Sequence, residues 1–171
     1  MADTDDDISK IIRRTVDIAK AYNLKYVTAD QLFCSILSHP DVAAFLAQNS
    51  VDVQKILKYF NDVFTTDASL DKLVGSEEVV STPGFSRIIK HAKAQSIFLE
   101  KSKPALVDLI VSLLTDQHSG PRMQSLLQQA GGDPAKIIES LQQLAEGNVD
   151  PQVIIIRGGN SSAQVGKAGE Q

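Results

Sequence analysis

Cysteine is almost missing from this 171-residue chain: Cys34 stands alone and cannot close an internal disulfide. Long apolar runs are missing too. The longest obvious one, Val153-Ile154-Ile155-Ile156, is far short of the roughly 18 residues a membrane span needs. Nor is there a surplus of positive charge. Lys and Arg number 17 against 21 Asp and Glu, a formal charge of −4, which offers no broad cationic surface to a phosphate backbone. A secretory leader would open basic and then apolar, whereas this chain opens on Asp3, Asp5, Asp6 and Asp7. These absences predict a soluble, cytoplasmic protein that binds neither nucleic acid nor membrane. What is present, 43% apolar and 22% charged residues, is the composition of a globular protein, and the length suits one domain with tails.

The periodicity is helical throughout. Ile8, Ile11, Ile12, Thr15, Val16 and Ala19 fall on one helix face, with Lys10, Arg13, Arg14, Asp17 and Lys20 on the rest. Thr28-Ala29-Asp30-Gln31 has the form of a capping box and opens a second helix through Leu32, Phe33, Ile36 and Leu37. A third follows Pro40 and a fourth follows Asp52, carrying Val53, Ile56, Leu57, Phe60 and Phe64. Residues 66–81 are acidic and weakly periodic, and read as an exposed linker. Thr82-Pro83 then opens a second set of four helices, the later ones starting near Pro104, near Pro121 and at Asp133-Pro134.

The two sets superpose. At an offset of 77, Ser9, Ile11, Ile12, Leu32, Ser35 and Leu37 fall on Ser86, Ile88, Ile89, Leu109, Ser112 and Leu114, without a gap over 31 positions. Four extra residues near 117–120 change the offset to 81, after which Leu46, Gln48, Asp52, Lys55 and Ile56 meet Leu127, Gln129, Asp133, Lys136 and Ile137. Each half is small for an independent core, so the expected fold is all-α: a tandem repeat of two four-helix units packed into one pseudo-twofold domain. The division is an acidic tail over 1–7, the domain over 8–146 with repeats at 8–65 and 82–146, and a flexible Gly- and Ser-rich tail over 147–171. Within that tail, the Val153–Ile156 run fits an edge strand, a docking segment or an aggregation-prone stretch.

Catalytic and metal signatures are weak. Cys34 and His39 are five residues apart, as a nucleophile and base might be, but the counterpart of Cys34 in the second repeat is Val111, and a small buried side chain explains both. His91 and His118 have no Cys or carboxylate at ligand spacing, and the Asp5-Asp6-Asp7 run is explained by the helix dipole and capping. Val165-Gly166-Lys167-Ala168 lacks the first Gly and the Ser or Thr of a phosphate loop. With no cofactor or metal site in view, an interaction module is the default. A small Cys34-dependent hydrolase is the enzymatic alternative.

The segment from Tyr26 to Leu37, with Thr28-Ala29-Asp30-Gln31-Leu32 at its centre, resembles the Thr-x-Glu-His-Leu-Leu-x-x-Leu motif of the Clp (Hsp100) amino-terminal domain. Thr82-Pro83-Gly84-Phe85-Ser86-Arg87-Ile88-Ile89 is similar to the opening of that domain's second half. Asn49-Ser50-Val51-Asp52 and Leu126 to Gly131 resemble its helix junctions, so the likeness covers residues 8–145. The nearest branch is ClpA, and ClpB and ClpC share the double four-helix fold.

The resemblance implies an adaptor- and substrate-docking domain of a ClpA-like AAA+ unfoldase. Such a protein receives substrates through the small adaptor ClpS and delivers them to a ClpP-type peptidase. This chain would then be no enzyme and hold no cofactor, since ATP binds the parent's ATPase modules, and the isolated domain is expected to be a monomer. The alternative is a free-standing Clp-N-like protein that competes for adaptors and regulates proteolysis. By position, the family's adaptor surface maps onto Asp30, Thr82 and Arg87. Lys25 stands where the family can carry a carboxylate, a charge reversal in the same patch, and Leu24 occupies the place of a metal-binding histidine found in some members.

Overall fold

The computed structural model describes residues 7–147. The acidic start of the chain, the Val153–Ile156 run and the Gly-Lys pair of the tail lie outside the described residues. Within them are eight helices: α1 (Asp7–Ala21), α2 (Ala29–Leu37), α3 (Pro40–Gln48), α4 (Val53–Thr66), α5 (Pro83–Phe98), α6 (Leu106–Leu114), α7 (Gly120–Gln129) and α8 (Pro134–Ala145). Two two-residue strands, β1 (Tyr26–Val27) and β2 (Val80–Ser81), pair in parallel. The fold is all-α apart from that short ladder, and no described helix is long and apolar enough to cross a membrane.

Local chemistry sets the helix starts. Gln31 Oε1 accepts from the Thr28 N–H at 2.6 Å and Thr28 Oγ1 accepts from the Asp30 N–H at 3.2 Å, which forms the expected capping box. Asp52 and Asp133 cap α4 and α8 by accepting from the Lys55 and Lys136 N–H groups. Proline occupies the first turn of α3, α5, α7 and α8, where no intrahelical donor is lost.

α2 and α6 lie at the centre. Eight of the nine residues of each are buried; Asp30 and Val111 are the exceptions. α2 packs on α1, α3 and α4, and α6 packs in the same way on α5, α7 and α8. Across the halves α2 meets α5 and α6, while α1 meets α6, so the buried apolar side chains of both halves form one contiguous core. Where Phe33, Ile36 and Phe45 face Ile110, Leu114 and Leu127, the seam keeps a void of only about 10 Å³.

Hydrogen bonds repeat with the sequence offsets. Ser35 Oγ donates to the Ile11 carbonyl at 2.8 Å, and 77 residues on Ser112 Oγ donates to the Ile88 carbonyl at 2.7 Å. Left-handed backbone recurs too: Asn23 (φ 59°) and Glu100 (φ 61°) end α1 and α5, and Ser50 (φ 69°) and Gly131 (φ 108°) follow α3 and α7.

The stretch between the halves is mostly exposed, but it is tied down by backbone bonds that composition gave no sign of. The Lys25 N–H donates to the Asp71 carbonyl at 3.0 Å, the Leu73 N–H to the Asn23 carbonyl at 3.0 Å, and the Val80 N–H to the Lys25 carbonyl at 2.8 Å. These bonds hold the end of the connection beside the start of α2.

Candidate functional site

The β1–β2 ladder sets the N-termini of α2 and α5 side by side, because each strand runs directly into its helix. Thr82 closes the arrangement: its N–H and Oγ1 both donate to the Val27 carbonyl, at 3.1 and 2.8 Å, and Oγ1 accepts from the Phe85 N–H as the cap of α5. Tyr26 and Val80 remain exposed on the ladder. Lys25 is 3.5 Å from the Glu77 carboxylate and lies over the Tyr26 ring, 5.8 Å from its centroid. Thus Lys25, Thr82 and the start of α2 share one face.

Asp30 and Arg87 are both committed inside the molecule. Asp30, at the start of α2, pairs with Arg122 on α7 and so joins the two halves. Arg87 makes a bidentate contact with Asp116, Nε to Oδ1 at 2.9 Å and Nη2 to Oδ2 at 3.1 Å. Asp116 also accepts from the His118 and Ser119 N–H groups just ahead of α7. The sequence singles out neither Asp116 nor Arg122. Asp116 shows a local signal, a carboxylate a few residues before Pro121, whereas Arg122 shows none, since its partner is 92 residues away.

The guanidinium hydrogen bonds of Arg87 hold the Asp116 carboxyl well below the usual carboxylate range, with the Ser119 and His118 N–H groups adding to the effect against burial. A carboxyl with a lowered folded pKa adds stability above its unfolded value of about 3.9 and loses it as pH falls toward the folded value. Stability against urea should therefore fall between about pH 5 and pH 2, with a smaller share from Asp67, which Ser69 holds down on the surface. Asp116→Asn should flatten that acid limb; an unchanged slope would remove Asp116 from the account.

Burial pushes the Cys34 thiol up to about 12, with the Asp30 charge adding to it, so the sulfur is protonated at neutral pH. His39 lies just ahead of α3, where its Nδ1 accepts from the Asp41 N–H as the N-cap. Leu24 is buried, and no group of three or more His, Cys, Asp or Glu able to hold a metal occurs among the described residues.

No protein-family profile matches the chain, and no curated protein matches it. Solved structures do. One, from preliminary structural investigations of a malarial protein secretion system, superposes with a TM-score of 0.64 over 82% of this chain and 92% of that one, at 14% identity. A likeness at that identity is one of fold alone.

Proposed function

We propose that the chain is a tandem Clp-N-like domain that docks an adaptor or substrate for a ClpA-like AAA+ unfoldase. The observation that carries the reading is the internal repetition. Equivalent helices pack on equivalent partners, and the Ser35 and Ser112 side chains make the same bond to the same turn of α1 and α5. The motifs at Tyr26–Leu37 and Thr82–Ile89 open α2 and α5, whose N-termini meet at the β1–β2 ladder. The docking face comprises Tyr26, Val80 and Lys25, with Asp30 and Arg122 at its border. A half-exposed aromatic beside a charge pair supplies both an apolar anchor and directional polar contacts. Catalysis and ATP binding belong to other modules of the parent protein, and unfolded clients and the ClpP-type peptidase are its remaining partners.

The test is calorimetric titration with a ClpS-type adaptor from the same organism. One-to-one binding is expected, weakened about tenfold or more by Tyr26→Ala and shifted by Lys25→Glu, with thermal stability unchanged in both variants. Arg87→Glu is a poor probe, because it strands Asp116 and disturbs the start of α7. An unaltered chain that binds no adaptor at all would overturn the ClpA-like assignment.

A further inference from the structure

The halves differ at one place where their symmetry predicts sameness. In the first half, Tyr22 on the turn after α1 packs against Phe64 with ring centroids 5.1 Å apart, and Phe64 stacks on Phe60 at 5.7 Å. Tyr22 Oη also donates to Asn61 Oδ1, tying the turn after α1 to α4. At the same offsets the second half has Leu99 for Tyr22, Leu141 for Phe60, Ala145 for Phe64 and Gln142 for Asn61. Three rings are replaced by aliphatic side chains, and an open groove of about 150 Å³ results. Leu99, Val111 and Ala145 form its apolar floor, with His91, Gln95 and Gln142 on its walls.

The missing ring has a source close by. Phe98, at the end of α5, is 78% exposed and Ile97 beside it is 72% exposed. Phe98 follows Gln95 by three residues and His91 by seven, which puts it at the rim of the groove on the same helix stripe. A projecting ring beside a vacant ring site on one surface is self-complementary about a twofold axis: each copy can give its Phe98 and receive the other's. The charges agree with this pairing. Those that remain free for it are few: the turn that carries Phe98 leads on to exposed Lys103, Lys101 being turned inward onto the buried Asp108 carboxylate at 2.7 Å, while α8 and its C-cap carry exposed Glu139 and Glu146.

We propose that the chain forms a weak isologous dimer in which Phe98 of each copy fills the second-half groove of the other, completing the aromatic cluster that the first half builds from its own residues. This departs from the monomer expected from sequence. Two phenylalanines bury roughly 300–500 Å² between them, well under the ~1,200 Å² of a standard stable interface, so the dimer should appear only at high concentration.

Sedimentation velocity of the full chain across a hundredfold concentration range, up to the highest soluble, is the test. Concentration-dependent dimerisation is expected, and Phe98→Ala should raise the dissociation constant at least about tenfold. Ala145→Phe should block the groove from within and abolish dimerisation. Lys103→Glu, which is exposed and leaves the core untouched, should weaken it and steepen its salt dependence less. A chain that is monomeric throughout, or a dimer indifferent to both Phe98→Ala and Lys103→Glu, would overturn the proposal. Adaptor binding is read separately through Tyr26, so the two readings fail independently.

Discussion

Residues 1–76 and 77–171 expressed as separate chains are each expected to lack a cooperative thermal transition, and mixing them in equal amounts is expected to restore helicity. The reason lies in α2 and α6. Each is buried on its own side by the helices of its half and on the other side by the opposite half. Separation bares Phe33, Ile36 and Phe45 on one piece and Ile110, Leu114 and Leu127 on the other. Full burial of such a side chain contributes about 1.5–3 kcal/mol, so uncovering six of them even in part removes on the order of 10 kcal/mol. That equals the whole stability of a typical domain, about 5–15 kcal/mol. The cut also breaks the bonds that join β1 to β2 and Thr82 to Val27. Circular dichroism of each piece and of the mixture decides the matter, and a sharp melt in either piece alone would show two independent domains.

Gly131→Ala is expected to lower stability by about 2–4 kcal/mol, whereas Gly75→Ala should cost about 1 kcal/mol. Both glycines have left-handed backbone, φ 108° and 61°. The difference is in their surroundings. A Cβ on Gly131 would come within 2.6 Å of the Ser50 carbonyl oxygen, a backbone atom that cannot move aside, while a Cβ on Gly75 meets nothing within 4 Å. Ser50 and Gly131 are equivalent positions of the two halves, so the loops after α3 and α7 cross each other at this contact, and the Asp52 N–H donates to the Ala130 carbonyl at 2.9 Å beside it. In a chain of this size the Gly131 variant should melt roughly 5–15 °C lower. Equal melting temperatures for the two variants would show that the crossing is loose.

The face around the β1–β2 ladder shows how far a single sequence reaches. Asp30, Thr82 and Lys25 were legible as starts of helices and as a charge that departs from a motif, because capping and motif spacing act over three or four residues. Their partners were not. Arg122 for Asp30 and Asp116 for Arg87 lie 92 and 29 residues away, and many arginines and aspartates could have met them equally well. The stretch over 66–81 reads as an exposed linker because its side chains have no period, and it is mostly exposed. Its anchoring comes from backbone N–H and C=O groups, which every residue carries and no composition reports.

The sequence by itself determined the helices, the starts of α2, α4, α5 and α8 and the repeated pattern, since each depends on apolar spacing and on local donors and acceptors that a one-dimensional pattern contains. Only the tertiary structure decided that Asp116 neutralises Arg87, that Arg122 joins Asp30, and that the second half keeps a groove where the first has rings. Those outcomes depend on which faces meet across the seam between the halves. Phe64 and Ala145 occupy the same helical position and satisfy the same apolar pattern, and they differ only in the volume they fill once α1 and α4, or α5 and α8, are brought together.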